Sequence, residues 1–72
     1  MPQQLTKRLE VQLDVLNRAR ELRDVALPGF NLHPLKGDRK NAWAIKVNAN
    51  WRIVFIFKEG DIYDVDFVDY HS

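Results

Sequence analysis

The chain ends in side chains that could transfer protons, because Asp69, Tyr70 and His71 occupy consecutive positions. Histidine is the side chain that titrates near neutral pH without perturbation, so His71 is a candidate general acid or base. Metal-free cleavage of RNA needs one group to deprotonate a 2′-hydroxyl, another to protonate the departing 5′-oxygen, and cations beside the phosphorane. Arg52 and a loop lysine could supply the cations. The alternative is a terminal histidine on a frayed end, without a role.

A second group of candidates lies in the segment His33-Pro34-Leu35-Lys36-Gly37-Asp38-Arg39. Lys36 stands beside a glycine, which lets the backbone approach a ligand closely. His33 could act as a further acid or base, or its ring could stack on a nucleobase. The alternatives are a surface lysine in a turn and a histidine packed against the loop before Pro34.

Composition limits the class of protein. The chain has 72 residues, a hydrophobic fraction of 46% and no cysteine, which predicts one globular domain in a reducing compartment. The opening Met-Pro-Gln-Gln lacks the features of a secretion signal, and no stretch approaches membrane-spanning length, so we expect a cytoplasmic protein. His33, Asp69 and His71 lack the local spacing of known metal sites, and we expect no metal or other cofactor. A net charge of +1 means that a nucleic-acid surface must come from local clustering of cations.

Hydrophobic periodicity predicts an α+β fold with a helix packed on an antiparallel three-stranded meander. Apolar residues at spacings of three and four predict an amphipathic helix over residues 5–23, and Pro28-Gly29 ends it. After residue 41 the period changes to two, which predicts strands at 42–48, 51–58 and 62–68. The helix face consists of Leu5, Leu9, Leu13, Leu16 and Ala19.

The register of the strands follows from taking residues 48–50 and 59–61 as three-residue hairpin loops. Asn50 and Asp61 would then adopt a left-handed backbone, which Asn and Asp tolerate. This choice collects apolar side chains on one face, whereas a two-residue loop would mix them with charged residues. The predicted pairs are Val47–Trp51, Ile45–Ile53, Trp43–Phe55, Phe57–Tyr63, Phe55–Val65 and Ile53–Phe67.

The opposite face of the predicted sheet carries the cations. Lys46 lies directly opposite Arg52, and like charges in that position are normally unfavourable. A bound phosphate would remove the conflict, which predicts an RNA-binding pair. The alternative is an ordinary solvated face on which Arg52 pairs diagonally with Asp66.

The segments around these candidates resemble the HigB-type toxins of the RelE superfamily. The resemblance runs from about residue 32 to residue 71 and covers the segments named above in order and with matching spacing. It is carried by residues 33–39, Trp43, Asn50-Trp51-Arg52-Ile53, Gly60-Asp61, Tyr63 and Asp69-Tyr70-His71. It implies a small α+β fold and a ribosome-dependent endoribonuclease that cleaves messenger RNA in the ribosomal A site. It also implies a helix-turn-helix antitoxin of the HigA type as partner.

By position, Arg52 resembles the family's phosphate-contacting arginine and Lys36 its catalytic-loop lysine. Asp69, Tyr70 and His71 resemble the family's C-terminal catalytic cluster, and His33 resembles a further active-site histidine. The implied chemistry is attack by the 2′-hydroxyl on the adjacent phosphate, which leaves a 2′,3′-cyclic phosphate without a metal.

This sequence departs from the family pattern in two places. Family members usually carry a strand and a helix before the segment equivalent to residue 5, and the chain begins without them, which predicts an open sheet edge. That edge could be closed by a second copy in a homodimer or by the antitoxin, or it could remain open. A shortened, catalytically silent toxin that only binds antitoxin is therefore a second hypothesis, and an RNA-binding sheet using Lys46, Arg52 and Tyr70 a third. Asn41 also stands where the family often has a small residue.

Overall fold

The computed structural model describes residues 3–37 and 40–69, with side chains from residue 6 onward. Helix α1 spans Gln3–Arg18 and is followed by a short 3-10 helix, Leu22–Asp24. The strands are β1 (His33–Pro34), β2 (Ala42–Lys46), β3 (Trp51–Lys58) and β4 (Asp61–Asp69), and they form one antiparallel sheet in chain order. The predicted α+β meander is confirmed. The sequence pattern missed β1, because two residues are too few to show a period.

Helix α1 ends earlier than the predicted 5–23. The chain after Arg18 turns, and the Asp24 carboxylate accepts hydrogen bonds from the backbone N–H groups of Arg20 and Glu21, each at 3.1 Å. These bonds hold the pKa of the Asp24 carboxyl below its usual value. Asp24 therefore satisfies backbone donors that a continuing helix would have bonded to carbonyl oxygens.

The core lies between α1 and one face of the sheet. Its fully buried sheet residues are Ile45, Val47, Ile53 and Phe55. Leu16 packs on them from the helix, while Val25 and Phe30 pack on them from the segment between α1 and β1. The apolar face predicted for the sheet is thus the face that the helix covers.

The buried stripe of α1 differs from the predicted one at two positions. Leu13 is 41% exposed, whereas Gln12 is only 1% exposed. Leu9 and Ala19 are partly buried against the core as predicted. Residues 9, 12 and 16 are also separated by three and four, so they share one face of the helix. The buried face is therefore turned slightly from the predicted one, and it includes the Gln12 amide.

The first long hairpin has the predicted register. Trp43 pairs with Phe55, Ile45 with Ile53 and Lys46 with Arg52. The loop 48–50 is also confirmed, but the left-handed backbone predicted for Asn50 is wrong, because Asn50 is not among the described residues with positive φ. The Asn48 Oδ1 instead accepts hydrogen bonds from the N–H groups of Asn50 and Trp51, at 2.9 and 2.8 Å. A side-chain acceptor, and not a special backbone conformation, closes this loop.

The second hairpin corrects the prediction. Lys58 pairs with Asp61, so the loop is the two-residue turn Glu59-Gly60, with φ of 53° and 81°. Positive φ at both central residues matches the strong twist of a tight hairpin. The predicted pair Phe57–Tyr63 and the left-handed Asp61 are therefore wrong.

A β-bulge between Val54 and Ile56 restores the predicted register farther along the hairpin. Asp64, on the opposing strand, has φ of 55° and supplies the extra residue. Ile53 then pairs with Phe67 as predicted, while the predicted pair Phe55–Val65 is wrong. The bulge explains how a two-residue turn avoids placing charged side chains in the core, which was the reason for predicting a three-residue loop.

Candidate nucleic-acid interface

Three strands contribute cationic or titratable side chains to the sheet face that points away from α1. Lys46 pairs with Arg52, and His33 pairs with Ala44, which lies on the same face as Lys46 because it is two residues away. Ala44 and Val54 pair with each other on this face, and both are buried, so apolar side chains lie beside His33 and the Lys46–Arg52 pair. The structure thus brings together His33, Lys46 and Arg52, the three residues predicted to bind RNA.

Arg52 is held by the loop that precedes it. Its Nη1 donates hydrogen bonds to the carbonyl oxygens of Asn48 and Trp51, at 2.5 and 3.0 Å. These carbonyl dipoles stabilise the guanidinium charge and reduce the conflict with Lys46 on the facing strand. The position of Arg52 therefore depends on loop 48–50, which Asn48 closes.

Asp66 does not pair diagonally with Arg52 in the part of the chain that the structure describes. Its Oδ1 accepts a hydrogen bond from the Phe67 N–H at 2.9 Å. Ion pairs join Arg18 to Asp14 on α1 and Arg23 to Glu21 in the segment after it. The solvated-face alternative, in its specific form of an Arg52–Asp66 pair, is wrong.

His33 is half-buried at the start of β1. Its Nδ1 lies 2.8 Å from the Asn31 carbonyl oxygen, and a carbonyl only accepts, so Nδ1 is the donor. In the neutral ring, Nε2 is then the nitrogen that can accept a proton or a hydrogen bond. This tautomer leaves one basic nitrogen available beside the cationic face.

Lys36 is exposed on the loop between β1 and β2. The loop is closed at its base by the Leu35 N–H, which donates to the Ala42 carbonyl oxygen at 2.9 Å. Gly37 has φ of 114° and no atom within 4 Å of the position of a Cβ, so the loop is open around it. Asn41 has φ of 62°, a left-handed conformation that asparagine tolerates better than most residues.

The C-terminal candidates are only partly described. Asp69 pairs with Trp51, which packs against the core, so the register places Asp69 on the α1 side and not on the face of Arg52. Tyr70 and His71 lie outside the described residues. Within residues 3–37 and 40–69, no three His, Cys, Asp or Glu side chains are grouped so that they could hold a metal ion.

A groove of about 350 Å³ lies on the α1 side of the molecule, away from the cationic face. Its lining includes two exposed apolar side chains, Leu13 and Val65. The remaining lining residues are Leu16, Asn17, Ala19, Gly60, Asp61 and Ile62. Residues predicted for catalysis or RNA binding do not line it, so the groove is separate from the candidate site.

Sequence reasoning missed two residues that position this interface. Asn48 was treated only as a turn residue, although asparagine followed by a short loop is a known signal for a side-chain-capped turn. Gln12 was not included in the predicted buried face of α1, although its spacing from Leu9 and Leu16 is the spacing of a buried stripe. Both signals were therefore present in the sequence.

An amphipathic helix on an antiparallel sheet, with histidine and paired cations on the open face, defines a small α+β protein with a candidate anion-binding surface. Over residues 1–71 the chain matches the family of RelE-like toxins of type II toxin–antitoxin systems, HigB, and it belongs to that family. It is also 42% identical over 71 residues to Endoribonuclease HigB of Proteus vulgaris, a match that covers 99% of this chain and 77% of that protein. In the described residues, no helix is long and apolar enough to cross a membrane.

Proposed function

We propose that this chain is the toxin of a type II toxin–antitoxin system and a ribosome-dependent endoribonuclease that cleaves messenger RNA. The observation that carries the proposal is the face on which His33, Lys46 and Arg52 meet, in a chain of the HigB-like toxin family. The name of the Proteus vulgaris relative supports RNA as the substrate. Paired cations on a sheet face suit the phosphates of a single strand, which carry the bulk of RNA-binding affinity.

The proposed reaction is transesterification without a metal. The 2′-oxygen attacks the adjacent phosphorus and loses its proton to a base, the bond from phosphorus to the 5′-oxygen breaks, and an acid protonates that oxygen. Arg52 stabilises the extra negative charge that develops on the phosphorane oxygens, and Lys46 and His33 bind the RNA. Lys36, on its open loop, completes the charge stabilisation.

Asp69, Tyr70 and His71 are the proposed groups for proton transfer. Asp69 is the last described residue of β4 and pairs with Trp51, beside the Arg52–Val68 pair. Tyr70 and His71 follow it in the sequence. Because residues paired directly across a ladder project to the same face, Asp69 is directed to the side of Trp51 and away from the face of Arg52. The Asp69 side chain is thus not on the Arg52 face, and we propose direct contact with the RNA for Tyr70 and His71.

The proposed partners are messenger RNA in the ribosomal A site and a helix-turn-helix antitoxin of the HigA type, in the cytoplasm. A homodimer is a further proposed assembly. Strands β1 and β4 are the two outer strands of the described sheet, and β4 is the longer, so its outer edge is where such a partner could add hydrogen bonds.

The test is induced expression of the wild type beside Arg52→Ala and His71→Ala, with 5′ ends of cellular RNA mapped after induction. Arg18→Ala is the matched control, because Arg18 is an exposed arginine that pairs with Asp14 on α1. We expect growth arrest and new in-frame 5′ ends with the wild type and the control, and neither with the two site variants. Arrest that persists unchanged in both site variants would refute the proposal.

The second candidate function is a catalytically silent module that binds antitoxin. The outer position of β4, a nine-residue strand whose neighbour among the described strands is β3 alone, favours it. If induction of the wild type yields no new 5′ ends while the chain still forms a complex with its antitoxin, the silent module is the correct function. New cleavage sites would exclude it.

A further inference from the structure

The buried amide of Gln12 is bonded to the strand that carries Lys46. Gln12 is the buried polar side chain of the described core, and its Nε2 donates a hydrogen bond to the Lys46 carbonyl oxygen at 2.8 Å. The two residues are 34 positions apart in sequence. A methionine or leucine would fill this position without the cost of burying an amide, so the hydrogen bond is the feature that distinguishes glutamine here.

The amide is retained although it is only half satisfied. Gln12 Oε1 is buried and has no hydrogen-bond partner among the described residues. A buried acceptor without a partner opposes folding. A core position that carries such a cost is expected where function benefits from it.

The backbone N–H and C=O groups of Lys46 need hydrogen-bond partners other than β3, because Lys46 occupies a non-hydrogen-bonded position of the β2–β3 ladder. The Val47 N–H donates to the Trp51 carbonyl oxygen at 3.0 Å, so Val47 and Trp51 form a hydrogen-bonded pair. Such pairs alternate along an antiparallel ladder, and the N–H and C=O of Lys46 therefore point away from β3. The Lys46 N–H donates to the Phe30 carbonyl oxygen at 2.7 Å, and Gln12 supplies the partner for the C=O.

We infer that Gln12 is a positioning residue for the phosphate-binding pair Lys46 and Arg52, and this inference rests on the proposed function. Gln12 lies on the α1 side of the sheet, whereas the Lys46 side chain lies on the other side, so Gln12 acts through the backbone and does not touch RNA. Its hydrogen bond sets where β2 ends and the 48–50 loop begins. That loop in turn holds the Arg52 guanidinium.

The test compares Gln12→Met with Lys46→Ala and with the double variant in binding to a short fluorescein-labelled single-stranded RNA over a range of salt concentrations. We expect Gln12→Met to weaken binding about fivefold, the equivalent of one hydrogen bond in free energy. Loss of one phosphate contact also lowers the salt slope by about 0.7. The double variant should bind as Lys46→Ala does, because the two residues act through one contact.

Leu16→Val is the matched control, because it removes one methylene from the same helix and core without touching β2 polar atoms. It should leave affinity and salt slope unchanged at a temperature where all variants are folded. Any of three results would overturn the inference. They are additive losses of affinity in the double variant, wild-type affinity in Gln12→Met, and the same loss of affinity in Leu16→Val. Failure of both Gln12→Met and Gln12→Leu to fold would overturn it too, since it would assign Gln12 to folding alone. If Lys46→Ala and Arg52→Ala themselves bind like the wild type, the proposed function fails first.

Discussion

The loop between β2 and β3 offers the sharpest test of the structure, because one side chain closes it. Replacing Asn48 with alanine removes the acceptor for the N–H groups of Asn50 and Trp51. A hydrogen bond of this kind contributes about 1 kcal/mol net, so Asn48→Ala should lower the free energy of unfolding by about 2 kcal/mol. For a domain of this size, 1 kcal/mol corresponds to about 4–8 °C, and the melting temperature should fall by roughly 8–16 °C.

The assay is urea and thermal unfolding followed by circular dichroism, with two companion variants. Asn48→Asp keeps an acceptor oxygen at the same position and should lose less than about 1 kcal/mol. Asn50→Ala should change stability by no more than about 0.5 kcal/mol, since Asn50 is exposed and has an ordinary backbone conformation. The reasoning is refuted if Asn50→Ala is as destabilising as Asn48→Ala, or if Asn48→Asp gives no rescue.

Three further predictions concern the turn, the helix end and the core. Glu59→Asn should raise the free energy of unfolding by about 0.5–1 kcal/mol in urea titrations, because Glu59 has φ of 53° and asparagine tolerates that conformation; a loss would contradict the two-residue turn. Asp24→Asn should lower the melting temperature at neutral pH. The difference in melting temperature from the wild type should disappear as pH falls below about 4, because the depressed pKa of Asp24 is then passed and the carboxylate becomes protonated. A difference independent of pH would argue against the hydrogen bonds to the carboxylate. Phe55→Ala, at a fully buried position, should cost about 3–5 kcal/mol and unfold the chain by circular dichroism, whereas Tyr63→Ala, at a side chain that is 42% exposed, should remain folded.

Strand register in this fold was predictable where one face of a strand must be buried. A shift of one residue in the first hairpin would move either Ile45 or Ile53 out of the core. Burial therefore selects one register, and that register was predicted correctly. Asp64 carries no such signal, because a bulge residue is exposed and looks like any turn-forming aspartate. The second hairpin was therefore wrong near its turn and correct beyond the bulge.

The candidate site was predictable in its residue types and only partly in its geometry. Alternation along β2 and β3 was sufficient to place Lys46 opposite Arg52. The partners of Arg52 are backbone carbonyl oxygens of its own loop, and residue types cannot reveal a bond of that kind. The burial of Gln12 could be read from its spacing, but its hydrogen bond to β2 could not, since the acceptor is the main-chain oxygen of Lys46.

The contacts of Arg52 explain how like charges can face each other on the sheet. The structure does not separate Lys46 from Arg52 by register; it lowers the cost of their proximity by directing the guanidinium toward two carbonyl oxygens. Such a guanidinium is oriented in advance, so less conformational entropy is lost when a phosphate arrives. Like charges directly opposite each other do not stabilise a sheet, whereas phosphate oxygens can accept hydrogen bonds from both cations. The pair is therefore better suited to the proposed binding of phosphate than to stabilising the fold.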